Sequence, residues 1–257
     1  METKRKLILV SNDDGYDARG LEALIEIVRP YGDVVAVAPV EGRSGMSHAI
    51  SIKHPIRLHK LKEEEGFTLY SCSGTPVDAV KIALDQILDR KPDLLVSGIN
   101  HGSNASISII YSGTLGAALE GCINQIPSIG FSVLDHSRNA DFTLPKMHAK
   151  RIVENVLERG LPDGVGLNVN FPVISPEEFK GFMVCKQTSG VWKEEFDKRL
   201  DPQKQEYYWL TGYFRNHEPD ASNTDEWALK NNYASVVPVK VDFTAYYMID
   251  EMQKWNL

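Results

Sequence analysis

Apolar residues in this chain come either in short unbroken runs that stop at polar clusters or at helical spacing. The first run, Lys6-Leu7-Ile8-Leu9-Val10, ends at Ser11-Asn12-Asp13-Asp14-Gly15. A continuous apolar run of this length predicts a strand buried on both faces, with Gly15 allowing a sharp turn at its end. Leu21, Leu24, Ile25 and Val28 then recur at helical spacing until Pro30-Tyr31-Gly32 stops them, and Val34-Val35-Ala36-Val37-Ala38 is a second buried run. Strand, helix and strand within about forty residues open a parallel, doubly wound sheet.

After a polar loop, Glu41 to His48, short strands are predicted at Ala49–Ile52, Ile56–Leu61 and Phe67–Cys72. Thr75-Pro76 starts a helix running to Leu88, with Thr75 as N-cap and Pro76 in the first position. Asp93 to Gly98 is a third core strand, ending in the polar Ile99-Asn100-His101-Gly102-Ser103-Asn104. Ser112-Gly113-Thr114 opens an Ala/Leu-rich helix to about Asn124, Pro127 to Ser132 is a fourth core strand, and an amphipathic helix covers Leu144 to Glu158. Beyond Gly160 the pattern loosens. A strand is expected over Leu167–Pro172, and extended aromatic-rich stretches over Gly181–Thr188 and Glu206–Phe214 flank a highly charged segment. A short helix at Asp225–Lys230, a strand at Tyr233–Val239 and a terminal helix from Phe243 to Trp255 complete the chain. Trp192, Phe196, Tyr207, Tyr208, Trp209 and Tyr213 form either a small local core or an arm that packs on a second copy. The organisation is a core over residues 1–172 and an extension over 173–257, with an extended hairpin arm near 181–215, within one domain.

Composition narrows the function classes. A net charge of −7 disfavours a basic surface for nucleic-acid polymers or acidic membranes, although a bound cation can recruit a single anionic metabolite. Cys72, Cys122 and Cys185 are isolated and odd in number, so neither a disulfide framework nor a zinc site is expected. The first residues lack an apolar signal segment and no run is long enough to span a membrane, which points to the cytoplasm.

The chemistry gathers at strand ends. In a parallel sheet the polar ends Asn12-Asp13-Asp14-Gly15, Arg43-Ser44-Gly45 and Ser97-Gly98-Ile99-Asn100 converge at the carboxyl edge, where such sheets place ligands. Two carboxylates, a hydroxyl and an amide carbonyl form an oxygen-only set suited to Mg²⁺ or Mn²⁺. The competing account has one aspartate capping the next helix and the other in solvent. Asn104 and the helix start at Ser112-Gly113-Thr114 make an anion cradle, with Arg43 as an added cation, although plain N-capping accounts for Ser112 equally well. A Walker loop and a GxGxxG fingerprint are absent. Tyr16 stands where an aspartyl phosphatase of the haloacid-dehalogenase type carries its second aspartate.

The order of these motifs, with Gly74-Thr75-Pro76-Val77-Asp78, Tyr111-Ser112-Gly113-Thr114 and Asn168-Val169-Asn170-Phe171-Pro172, resembles the SurE family (survival protein E). The resemblance implies a Rossmann-like α/β fold and a metal-dependent 5′/3′-nucleotidase that converts nucleoside monophosphates to nucleoside and phosphate. A secondary activity on short polyphosphate is also implied. By position, Asp13, Asp14, Ser44 and Asn100 hold one divalent cation per subunit; Asn104, Ser112, Gly113, Thr114 and Arg43 line the phosphate. Asp13, Asp14, Asn104 and Ser112 are the candidate catalytic residues. A homodimer or homotetramer built through the C-terminal arm and terminal helix is implied too. Ser106 and Ser108 depart from the family pattern, which usually has Gly and Asp in this loop. The expected mechanism is attack by metal-activated water, with Asp13 as a nucleophile the chemical alternative. A nucleotide-binding scaffold without turnover is the alternative function.

Overall fold

The computed structural model describes residues 5–256. The first apolar run forms β1 (Lys6–Ser11), buried from Leu7 onward because it lies in mid-sheet. It leads into α1 (Arg19–Val28) and β2 (Gly32–Pro39). The hairpin β3 (Leu58–Glu64) and β4 (Phe67–Cys72) follows, then α2 (Pro76–Ile82), β5 (Leu94–His101), α3 (Gly113–Ile123) and β6 (Ser128–Val133). The chain continues through α4 (Thr143–Arg159), β7 (Val165–Phe171), β8 (Phe182–Val184), β9 (Gly190–Leu200) and β10 (Glu206–Asn216). It ends with α5 (Asp225–Lys230), β11 (Ala234–Lys240) and α6 (Tyr246–Met252). None of the described helices is long and apolar enough to cross a membrane.

Nine strands form one sheet in the order β3-β4-β2-β1-β5-β6-β7-β11-β8. Its ladders are parallel except for β3–β4 and β7–β11. Helices cover both faces. Leu21 and Leu24 of α1 and Val153 of α4 pack with Ile8 and Val10, while Val80 of α2 and Leu115 of α3 pack on the opposite face with Leu9 and Leu95. Successive residues of β1 thus enter opposite layers, the physical reason for its unbroken apolar run. The chain winds outward from β1 through β2 to β4, then restarts on the other side with β5, β6 and β7. The reversal falls between β1 and β5 and opens a crevice at their carboxyl ends.

Three stretches differ from the periodicity. Residues 49–52 form no strand: Ser51 N–H donates to Asp78, and Ala49 O accepts from Thr75 Oγ1 at 2.7 Å. Those backbone groups are satisfied by the capping box at the start of α2 instead of a ladder. The charged segment expected to separate two aromatic stretches is itself β9, paired with β10 in a separate two-stranded sheet. A ribbon with solvent on its faces accommodates charges alternating with Trp192, Phe196 and Leu200. Its aromatics do not make a local core: Phe196, Tyr208, Trp209 and Tyr213 are all more than half exposed. The terminal helix is shorter than predicted. Beyond residue 172 the chain also returns to the main sheet, where β11 pairs with β7 and β8 pairs with β11.

Candidate active site

The end of β1 is buried as deeply as its middle. Asn12 is fully buried, and its Nδ2 donates to Gly15 O at 2.8 Å, so it shapes the turn. Asn12 Oδ1 and the Ser11 and Ser97 hydroxyls have no hydrogen-bond partner among the described residues. Asp13 is 3% exposed and faces the start of α3. Thr114 Oγ1 donates to Asp13 Oδ1, and the backbone N–H groups of Gly113 and Thr114 also stabilise that carboxylate. The approach requires glycine: a Cβ on Gly113 would lie 2.8 Å from Asp13 Cβ and 2.9 Å from Oδ2. Ser112 caps α3, its Oγ accepting from Leu115 N–H at 3.0 Å.

Asp14 turns toward the end of β5, where His101 N–H donates to Oδ2 at 3.4 Å. Burial drives Asp13's pKa upward against the donors of Thr114 and Gly113. Burial and then the charge of Asp13 push Asp14 up to about 6, with His101 opposing. Two buried carboxylates side by side are thus costly in their ionised forms. Asn100 Nδ2 donates to Gly102 O at 2.8 Å, which leaves the amide Oδ1 as the atom available to a ligand. The loop after β2 reaches the same place, as Arg43 N–H donates to Asp13 O at 2.7 Å. Ser44 follows on the exposed side of that loop. The Arg43 guanidinium pairs with Glu41 at 2.9 Å.

These residues fit a hard divalent cation. Two like charges buried together want a positive partner, and the candidate donors are all oxygens. Among the described residues no group of three or more His, Cys, Asp or Glu side chains is placed to hold a metal, so a cation here would depend on hydroxyl and amide oxygens beside the two carboxylates. The start of α3, read in the sequence as part of an anion cradle, already serves Asp13. Asn104 Nδ2 donates to Ser132 Oγ at 2.8 Å, and its main chain is clasped by Asn168 and Asn170, each at 2.8 Å.

Asn168, Asn170 and Ser132 carried no role in the sequence reading. Their signal was present: amides two apart on one face of a buried strand require partners. Thr114's bond to Asp13 had no such signal, because it joins residues 101 positions apart. Ser106 and Ser108 also find a purpose here. Ser106 is buried at φ 55, its N–H donating to Asp225 at 2.7 Å and its hydroxyl to Thr188 O at 2.9 Å. Ser108 Oγ accepts from Trp192 Nε1 at 3.2 Å. The departures tie the loop after Asn104 to α5 and to the hairpin.

Fold and site together define a doubly wound α/β protein with a cation-type oxygen cluster at its strand-order switch. The family model for survival protein SurE matches residues 8–194. The proteins named 5′-nucleotidase SurE from Flavobacterium psychrophilum and Bacteroides fragilis are 53% and 49% identical to the chain. The first alignment covers 98% of each sequence and the second 100% of each. The crystal structure of the SurE protein from Aquifex aeolicus superposes with a TM-score of 0.82 at 37% identity, covering 96% of this chain and 98% of that one. The chain belongs to the SurE family.

Proposed function

We propose that the chain is a phosphomonoesterase that releases phosphate from nucleoside 5′-monophosphates, with 3′-monophosphates and short polyphosphate as secondary substrates. The observation that carries this reading is the buried Asp13-Asp14 pair set against the start of α3 and the free amide oxygen of Asn100. The relatives' shared name, 5′-nucleotidase SurE, supports the reaction class. Asp13, Asp14, Ser44 and Asn100 would hold one Mg²⁺ or Mn²⁺. Such a cation supplies a Lewis acid and lowers the pKa of water at the site.

The chain's own groups do the rest. Thr114 orients Asp13 and stabilises its ionised form. Ser112 accepts the capping bond through a lone pair, which leaves its O–H to donate to a phosphate oxygen. Asn104, held in place by Ser132, Asn168 and Asn170, is a rigid polar group on the same side. Gly113, Thr114 and Arg43 complete the phosphate lining, where the positive end of α3 favours negative charge. Donors fixed before the reaction stabilise charge without reorganising. The exposed aromatic hairpin and the terminal helix would join copies of the chain into a dimer or tetramer.

Phosphate release from a panel of monophosphates with Mg²⁺ or Mn²⁺ tests the reading. Turnover is expected with metal, and its loss in chelator and in Asp14→Asn. Full activity in either of those conditions refutes the metal site. Tight nucleotide binding without release makes the protein a scaffold, and a trapped phospho-aspartate at Asp13 replaces water as nucleophile.

A further inference from the structure

The two aspartates face different sides. Asp13 looks toward the start of α3, where Ser112 is the proposed donor to the phosphate that is cleaved. Asp14 forms part of the wall of a cleft of about 430 Å³ that adjoins the aspartate pair, with Asp17, Arg19, His101, His136 and Arg138. This volume is in the range of small-molecule sites. It lies at the switch between β1 and β5, where this sheet architecture puts ligands.

The cleft's walls are built. His101 Nδ1 donates to Ser137 O at 2.8 Å, and its ring meets Phe142 edge-on at 5.2 Å. The ring of His136 packs onto Gly102, whose φ is +106; a Cβ there would lie 2.3 Å from Cε1. The loop bearing His136 and Arg138 is therefore docked on the end of β5. From the other wall, Arg19 opens α1, a ten-residue helix whose N-cap, Ala18, offers no side-chain acceptor. The positive end of α1 adds to the field.

The cleft carries two guanidinium groups and two imidazoles. Neither Arg19 nor Arg138 makes an ion pair among the described residues; the hydrogen bonds of Thr143 hold Asp141 below the usual carboxylate range, and the charge of Arg19 adds a smaller effect. Of the acids in the cleft, Asp14 is committed to the proposed cation, leaving Asp17. A forked guanidinium is the side chain best matched to phosphate. The scissile phosphate already has its donors on the Asp13 side. The cations on the Asp14 side are therefore surplus to it.

We propose that the cleft bounded by Arg19, His136 and Arg138 is a second anion subsite, which takes a phosphate other than the one hydrolysed. The chemical class it selects is a nucleoside bearing two separate phosphates. This rests on the phosphomonoesterase reading for the neighbouring site, and the two are separable by experiment. Calorimetric titration of the protein loaded with Ca²⁺, a hard cation that would fill the oxygen site in place of the Mn²⁺ used for turnover, compares adenosine 5′-monophosphate with adenosine 3′,5′-bisphosphate. Wild type is expected to bind the bisphosphate at least ~10-fold more tightly, the yield of one charge-assisted contact. In Arg19→Gln/Arg138→Gln the advantage is expected to shrink to within about threefold, with the thermal midpoint showing that the variant is folded. Equal affinities in wild type, no binding of the bisphosphate, or an advantage that survives in the double variant overturns the subsite. Phosphate release is followed on the same protein preparations with Mn²⁺ as the added metal. A binding advantage without release from either ligand removes the hydrolase reading and keeps the subsite. Release without the advantage does the reverse.

Discussion

Replacing Asp14 by Asn should stabilise the metal-free protein while abolishing its activity. Burial and the charge of Asp13 push the Asp14 carboxyl from 3.8 up to about 6. Because the folded value lies above the unfolded one, the fold holds a proton that the unfolded chain has released between those two pH values. Stability therefore falls as pH rises through that interval and stays lower above it. At about 1.4 kcal/mol per pKa unit the displacement is worth roughly 3 kcal/mol. Partial solvent access to the carboxyl trims this to about 2 kcal/mol. Asparagine has nearly the same shape, can still accept from His101 N–H and carries no charge. In chelator at pH 7.5 the variant should melt roughly 4–8 °C above wild type, and at pH 4 the two should nearly coincide. Mg²⁺ or Mn²⁺ should raise the wild-type midpoint by mass action and move the variant far less. The assay is thermal unfolding at both pH values, with and without metal, beside phosphate release. A variant less stable than wild type at pH 7.5, or a gain of the same size at pH 4, would refute the claim that the acid pair stores this energy.

Three further outcomes follow from single contacts. Gly113→Ala puts a Cβ against Asp13, and should cost about 1–3 kcal/mol of stability and most of the phosphate release, measured on the purified variant. Asp225 is fully buried and accepts from Ser106 N–H, from both N–H and hydroxyl of Thr188, and from Glu226 N–H. Asp225→Ala strands those donors and should cost about 3 kcal/mol or more in urea unfolding, whereas a neutral result would show that the network carries no stability. Glu120, buried on α3, binds His48 Nε2 at 3.0 Å and Lys81 Nζ at 2.9 Å, and so fastens the loop that carries Arg43 and Ser44. Glu120→Gln should raise the metal concentration needed for half-maximal activity by about 10-fold, the size of effect expected of a ligand-supporting group; an unchanged metal requirement would remove the loop from the site.

The core was legible because its signals are local. β1 must be apolar on both faces, and Thr75-Pro76 and Asp225–Lys230 announce helix starts through their capping chemistry. The misreadings occur where backbone partners are remote. Residues 49–52 look like a strand, but Thr75 and Asp78 take their hydrogen bonds. The charged stretch within the expected hairpin arm reads as set apart from the aromatic strands, but it is β9 itself, because a ribbon without a buried face has no use for an apolar alternation. In each case local composition was overruled by a partner that only the fold brings near.

The site divides along the same line. Asp13, Asp14 and Asn100 were visible as polar residues at strand ends, because carboxylates and amides that close buried strands at one sheet edge mark where such sheets place ligands. What the spacing could not show is which atom of each residue is free. Asn12 and Asn100 look alike in sequence. One amide N–H₂ is spent on Gly15 O inside the turn, leaving its oxygen buried; the other is spent on Gly102 O, leaving its oxygen to a ligand at the end of β5. Likewise the start of α3 read as an anion cradle, yet its first occupant is the carboxylate of Asp13. Helix dipole, threonine hydroxyl and backbone N–H groups lower the cost of ionising an acid whose burial opposes it. The same positive end can then serve the protein's own anion and a phosphate beside it. On the proposed reading, the elements that hold Asp13 ready for a cation would be the same ones that attract the substrate, so metal and phosphate recognition would be coupled through one helix turn.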